Sequence, residues 1–328
     1  MLTRRSLGLL GLASPILASP ILASRAIAQT MPSGTIRIVV PYNPGGITDV
    51  LARAISGPMG AALGNTVVVE NRAGANGSIG TALVARSTPD GTTLLLGVTD
   101  THAVNPAAMR NIPHDAIRDF APVSNITNVP LVLAVGPSQR GVADLAGFIA
   151  AARARPEALT HSSWGVGSTS QIGMLRLGEA AGFQLLHVPF TGAAPAVQAL
   201  AAGQVDSMVV PAGAAEALAR DGGVRVLAAL SPARLALLPN VPTLMEAGVN
   251  LTTSIFQAVF APARTRAAIV AQLNAAMGAA LAAPAMLEVL RGQAALADHT
   301  TPEGLAARVV AEQAAWGSII RSANIRLD

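Results

Sequence analysis

The feature that most constrains this chain is an alternation. From Thr35 to Ala229, short β-rich runs take turns with longer Ala- and Leu-rich amphipathic stretches. Strand character is read over Ile36–Val40, Thr66–Glu70, Thr93–Gly97, Leu131–Val135, Leu159–Ser163, Leu185–Pro189, Asp206–Val210 and Val224–Ala229. Helical spacing is read over Ile47–Leu63, Ser78–Arg86, Ala143–Arg153, the stretch after Ser168, and Ala193–Ala202. Repeated strand–helix–strand units predict α/β architecture, with parallel sheets covered by helices on both faces. Right-handed crossovers then gather the loops at the carboxyl ends of the strands along one edge, where ligands of such sheets bind. The last quarter breaks the pattern: Leu251–Ala261 is β-prone, but Ala263–Leu281, Ala285–Arg291 and Pro302–Arg321 are helical with no strands of their own to cover. Those helices are expected to return to the first domain. That requires two interdomain crossings, near Ser124–Val129 and Thr253–Gln257, and divides the chain into a discontinuous domain (29–127 and 254–328) and a contiguous one (128–253).

Composition narrows the function classes. All 22 basic residues are Arg, so the sequence pI of 11.0 rests on a formal charge of only +4. Arg4, Arg5 and Arg25 fall within the stretch Met1–Ala28; the remainder, 19 Arg against 18 acids, is nearly neutral. A neutral body lacks the clustered cations that bind phosphates, so no nucleic-acid partner is expected. Zero cysteines exclude a disulfide framework, thiolate metal ligation and a cysteine nucleophile. The histidines at 102, 114, 161, 187 and 299 show no HExxH spacing, and no G-x-S-x-G elbow occurs. No catalytic residue, metal ligand or cofactor site is assigned, and His187 reads as a core side chain.

The opening stretch, 1–28, reads as an export signal. Thr3-Arg4-Arg5-Ser6-Leu7 precedes an apolar run to Leu22, and Ala26-Ile27-Ala28 supplies a small-x-small end. The paired arginines resemble a twin-arginine (Tat) signal; Sec export stays open. Cleavage after about Ala28 places the expected mature protein in the periplasm.

Two glycine turns carry the binding expectation. Val40-Pro41-Tyr42-Asn43-Pro44-Gly45-Gly46-Ile47-Thr48-Asp49 ends a strand and opens a helix, so first-turn amides point at whatever lies above them, which suits an anion. Trp164-Gly165-Val166-Gly167-Ser168-Thr169-Ser170-Gln171 repeats that grammar with three hydroxyls and an amide. It is neither a Walker loop nor a dinucleotide fingerprint. Two such helix starts facing one cleft would grip a small anion. Weaker candidates follow other strands: Thr99-Asp100-Thr101-His102, and Phe190-Thr191-Gly192-Ala193, with Phe190 as a lid. Glu70 and Arg72 read as a structural ion pair.

These segments, in order, resemble a known family: TIRIVVPYNPGGITD from Thr35, VVVENRAGANGSIG from Val67, HAVN from His102, GSTSQ from Gly167, HVPFTG from His187, GQVD from Gly203 and PNVPTLMEAG from Pro239. The chain is similar to the Bug-type periplasmic solute-binding proteins of tripartite tricarboxylate transporters. The resemblance implies a two-domain, periplasmic-binding-protein-like fold (type II, Venus-flytrap) with two hinge crossings. It also implies a small carboxylate ligand, a two-component membrane permease as partner, and a monomer. Transferred by motif, the ligand-binding residues are Tyr42, Pro44, Gly45, Gly46, Thr48, Asp49, Thr99, Asp100, Thr101, Ser168, Thr169, Ser170, Gln171, Phe190, Thr191, Gly192, Ala193 and Asp206. Two departures stand out. Asp100 replaces a small neutral residue, which predicts repulsion of a second carboxylate and suits an amino-bearing ligand, unless Asp100 caps its own turn. Met208–Gly213 is more apolar than its family counterpart, so the distal specificity does not transfer. The alternative function is a ligand-sensing protein for a signalling system; a hydrolase or isomerase would need a reactive pair the sequence does not display.

Overall fold

A computed structural model describes residues 33–322, so the expected leader and its cleavage point lie outside the described residues. The elements are β1 (Thr35–Val40), α1 (Ile47–Leu63), β2 (Thr66–Asn71), α2 (Ser78–Ala85), β3 (Thr93–Val98), α3 (Asn105–Ala108), β4 (Phe120–Val135), α4 (Leu145–Ala154), β5 (Thr160–Ser163), α5 (Thr169–Ala181), β6 (Leu186–Pro189), α6 (Ala193–Ala201), β7 (Ser207–Pro211), α7 (Ala212–Arg220), β8 (Arg225–Ala229), β9 (Ser254–Pro262), α8 (Ala267–Leu281), α9 (Pro284–Gly292) and α10 (Pro302–Ser322). A wide π-type turn, Asp100–Val104, joins β3 to α3.

The first helix shows how the sequence pattern becomes packing. Ile47, Leu51, Ile55 and Met59 recur every fourth residue, so they share one face, and all four are buried. Burying such side chains contributes about 2 kcal/mol each. The helix ends where Gly64 takes a left-handed conformation (φ 67°) and its N–H returns to Gly60 O.

The strands run in the order β2-β1-β3-β9-β4-β7-β5-β6, with β8 also on β4. The expectation of parallel sheets is corrected to a mixed one. Parallel pairs, β1 with β2 and β3, and β5 with β6 and β7, flank the antiparallel strands β4 and β9. The cause is β4 itself. Its first part, Phe120–Pro130, pairs with β9, while Leu131–Val135 pairs with β7 and β8. One strand thus serves both halves of the molecule and runs against its neighbours in each.

β4 begins eleven residues before the expected Leu131. Its early part contains Pro122, Asn125, Asn128 and Pro130, which read locally as a break. Tertiary partners override that preference. The register shifts after Pro122 and after Asn125 absorb the irregularity, and Asn125 Nδ2 and Asn128 Nδ2 donate to Asp298 Oδ2 at 2.8 and 3.2 Å. A second difference is α7, Ala212–Arg220, where the sequence reading assigns no helix. Here Gly213 is required: a Cβ would fall 2.4 Å from Gly292 O, so this helix packs backbone-close on the end of α9.

The late helices pack on early elements: α8 against α1 and β4, α9 against α1, and α10 against β4, α3 and the Asp100–Val104 turn. Glu70 pairs with Arg72 and with Arg37 (3.0 Å), a part-exposed arrangement at the end of β2. Among the described residues, no single helix is long and apolar enough to cross a membrane.

Candidate functional site

The loop from β1 to α1 is organised by its own carboxylate. Asp49 accepts from Gly45 N, Arg53 Nε and Asn71 Nδ2, all at 3.0 Å. Burial alone would raise the Asp49 pKa, but these donors outweigh it and hold the carboxyl below its ordinary value. Asp49 is therefore committed to holding the turn rather than to a ligand. Gly46 is the N-cap of α1, and no side chain caps that helix start.

The start of α5 is built differently. Ser168 Oγ accepts from Gln171 N (3.4 Å), Gly167 N donates to Gln171 Oε1 (2.6 Å), and Ser170 Oγ donates to Val209 O (2.5 Å). Thr169 N donates to Asp100 Oδ1 at 2.9 Å. The indole Nε1 of Trp164 donates to Asp100 Oδ2 at 2.6 Å. A helix N-terminus favours an anion, and the anion here is the protein's own Asp100, reaching from the end of β3. Asp100 is 1% exposed, and burial pushes its pKa up to about 6 even though Trp164 and Thr169 favour the charged form. Its carboxylate accepts bonds from the opposite loop instead of capping its own turn. The Tyr42 hydroxyl is buried near the same carboxylate, and burial and that charge raise the phenol pKa; it has no partner in hydrogen-bond geometry.

A small cavity of about 30 Å³ lies where these loops meet. The first loop contributes Tyr42, Asn43, Gly46, Ile47, Thr48 and Asp49. β3 and its turn add Val98 and Asp100, and β9 adds Ile255 and Gln257. Trp164, Ala193 and Pro211 close it from the other side. Among the described residues, no Arg or His lines it. Contact across the cleft is direct: Asn43 Nδ2 donates to Thr191 O and lies 3.3 Å from Thr191 Oγ1. A Cβ on Gly46 would stand 3.6 Å from that of Ala193.

Of the residues singled out from sequence, Tyr42, Gly46, Thr48, Asp49, Asp100 and Ala193 come together at this cavity. Others have structural partners. Thr99 Oγ1 accepts from Phe256 N (2.9 Å), tying β3 to β9. Thr101 Oγ1 binds back to Val98 (3.0 Å) and contacts His102 Nδ1 (2.9 Å). Ser168, Ser170 and Gln171 are occupied as described, and the Thr169 amide is held by Asp100 while its buried Oγ1 has no partner in hydrogen-bond geometry. Pro44 and Gly45 are exposed on the rim, Thr191 meets Asn43, Gly192 lies against Asn43, and Phe190 packs on the core.

Asp206, assigned to ligand binding from the sequence, does not line this cavity. It precedes β7, whereas Pro211 at the other end of that strand lines the cavity; five residues of strand span about 16 Å. The Asp206 carboxylate accepts from Ser138 Oγ (2.8 Å), Gln139 Nε2 (2.7 Å), Thr160 N (2.8 Å) and Thr160 Oγ1 (2.9 Å). Its oxygens are fully used.

Sequence reasoning did not select Asn43, Ile47, Val98, Trp164, Pro211, Ile255 or Gln257. Trp164 and Pro211 follow directly from strand ends, and Gln257 is a lone amide within the apolar run Ile255–Ala261, a signal that was available.

The histidines do not form a reactive set. His102 stacks on Phe260 with centroids 3.9 Å apart, and His161 stacks on His187 at 4.8 Å. His187 Nε2 meets Ser163 Oγ at 2.7 Å. Burial lowers the pKa of His102 and His161 to about 3 and of His187 to about 4. Among the described residues, no group of three or more His, Asp or Glu is arranged to hold a metal ion.

Two halves sharing crossing strands, with facing loops closed over a small cavity at strand ends, define an α/β periplasmic-binding-protein fold. The sequence matches the tripartite tricarboxylate transporter family receptor over residues 51–325, and the chain belongs to that family of solute-binding receptors. It is 35% identical to Protein BugT of Bordetella pertussis over 306 residues, covering 92% of each chain. Among solved structures, it is similar to Rhodopseudomonas palustris Rpa4515 with adipate (33% identity, TM-score 0.86, 90% of this chain and 99% of that one). It is likewise similar to MatC from the same organism with bound malate (33%, TM-score 0.84, 88% and 99%).

Proposed function

We propose that the protein captures a small carboxylate in the cavity between its two halves and delivers it to a two-component membrane permease of the tripartite tricarboxylate type. The carrying observation is the contrast between the two helix starts. That of α5 already holds the Asp100 carboxylate, whereas that of α1 has no side-chain cap and borders the cavity. The solute's carboxylate sits on the first-turn amides of α1, at Ile47 and Thr48, with Gly46 keeping that approach free of a side chain. Relatives with adipate and malate support an organic acid as the ligand class.

The remainder of the solute carries no second negative charge, because the cavity offers Asp100 and no cation to offset it. An amino-bearing acid is compatible with that site. The halves correspond to 29–127 with 254–328, and to 128–253, moving about β4 and β9. Ligand bridges both only when the cleft is shut and so shifts the population toward the closed form. The protein works as a monomer in the periplasm after losing a leader that ends near Ala28.

Isothermal titration with acetate, butanoate, succinate and 4-aminobutanoate tests the reading. Saturable binding of a monoacid, weakened by Gly46→Val, is expected. Absence of binding by every carboxylate, or equal affinity for the matching neutral amides, contradicts it.

A further inference from the structure

Gln257 lines the cavity from β9, between Phe256 and Ala258, and is 0% exposed. Neither its Oε1 nor its Nε2 has a hydrogen-bond partner. A buried amide left unpaired at both ends is costly, and such groups are otherwise almost always satisfied. Its backbone is not the cause: Gln257 pairs in register with Val98 on one side and Thr127 on the other, so strand geometry would accept an apolar residue there. Gln257 shares the cavity with Tyr42, whose buried hydroxyl lies beside the Asp100 carboxylate, and with that carboxylate itself, while Val98, Ile255 and Pro211 supply apolar wall.

We infer that Gln257 reads the far end of the solute, and that this end is a primary carboxamide. The inference rests on the proposed seating of a carboxylate at the start of α1 and names what lies at the other end. The argument is one of donor and acceptor inventory. A carboxylate only accepts, so it would satisfy Gln257 Nε2 but leave Oε1 unpaired and stand beside the Asp100 charge. An ammonium only donates, so it would satisfy Oε1 and suit Asp100 but leave Nε2 without an acceptor. A carboxamide does both, pairing with another amide through two antiparallel N–H···O bonds, with a second N–H left for Asp100. A site built to hydrogen-bond a polar group rejects analogues lacking it far more strongly than an apolar pocket rejects a missing methylene.

The test is calorimetric titration with ω-amide monoacids of three to six carbons (malonamate to adipamate), each beside the diacid, the ω-amino acid and the unsubstituted monoacid of equal length. Wild-type protein is expected to bind one ω-amide at least tenfold more tightly than all three counterparts. In Gln257→Met, which conserves shape but removes both polar atoms, that preference falls below threefold. The melting temperature without ligand is unchanged or raised. Equal or tighter binding of the diacid or the ω-amino acid, an amide preference that survives Gln257→Met, or no binding of any ω-amide would overturn the inference. The neutral diamide serves as a separate control: affinity equal to that of the ω-amide would sink the carboxylate seat while leaving the amide-reading role of Gln257 standing.

Discussion

The carboxylate of Asp100 accepts the indole N–H of Trp164 at 2.6 Å, joining the end of β3 to the end of β5 across the cleft. With the Thr169 amide on its other oxygen, this acid occupies the α5 helix start that the sequence offered to a ligand. Closure therefore has a protein-supplied anion on one side and leaves the α1 start for an external one.

Asp100 also gives closure a pH dependence of known sign. Its folded pKa, about 6, lies above the ordinary 3.8. An acid raised in this way does not disfavour the fold below the lower value, disfavours it increasingly as pH rises from the lower to the higher one, and above that costs a constant amount of up to about 3 kcal/mol. The buried histidines 102, 161 and 187 act in the opposite sense, losing stability as pH falls from 6.5 toward their lowered values. Asp100→Asn isolates the acid. Urea unfolding at pH 4.5 and 7.5 is expected to show the variant gaining about 2–3 kcal/mol relative to wild type between those values. A constant difference would contradict the assignment.

Gly46→Val and Gly46→Ala separate space from backbone. Gly46 has φ −79°, which any residue adopts, and its missing Cβ would make only an ordinary 3.6 Å contact with Ala193. Alanine is expected to change affinity less than threefold. Valine sends γ-methyls into the start of α6 and raises Kd at least tenfold, with the melting temperature within a few degrees of wild type. Titration and thermal unfolding of both variants check this.

Asn43→Ala removes the side chain that reaches Thr191 from the opposite loop. A net hydrogen bond of this kind contributes about 1 kcal/mol. On the proposed closure this bond forms in the shut state, so Kd is expected to rise about fivefold, chiefly through faster dissociation, as stopped-flow measurement would show. An unchanged dissociation rate would exclude Asn43 as a closing contact.

Asp206→Ala is expected to act on stability alone. It strips four hydrogen bonds from a partly buried carboxylate at the foot of β7. Burial opposes ionisation there, yet the Thr160, Gln139 and Ser138 donors lower its pKa, so its stabilisation is present near neutrality and lost on acidification. Denaturant unfolding at pH 7 should show a loss of about 2–4 kcal/mol, with ligand affinity unchanged within twofold. A tenfold affinity loss would return Asp206 to the binding site.

The strand–helix alternation made the α/β class and most elements legible, because apolar periodicity is local: Ile47–Leu63 could be read from its four-residue spacing alone. β4 could not, since Asn125 and Asn128 become strand residues through β9 and find side-chain partners in Asp298, both far along the chain. The same limit explains the site. Glycine turns announce a helix start, but whether its amides stay free depends on what arrives from elsewhere, and Asp100 arrives at α5 from 69 residues upstream. Gln257 carried a readable signal, one amide among apolar neighbours, whose meaning required knowing that the strand passes under the cavity.

The most direct test is a crystal structure of the protein with the tightest-binding monoacid from the titration series. The carboxylate oxygens should accept hydrogen bonds from Ile47 N and Thr48 N at ordinary amide-to-oxygen distances, with the Asp100–Trp164 and Asp100–Thr169 bonds intact. A carboxylate seated instead on Thr169 N, with Asp100 turned away, would contradict the account.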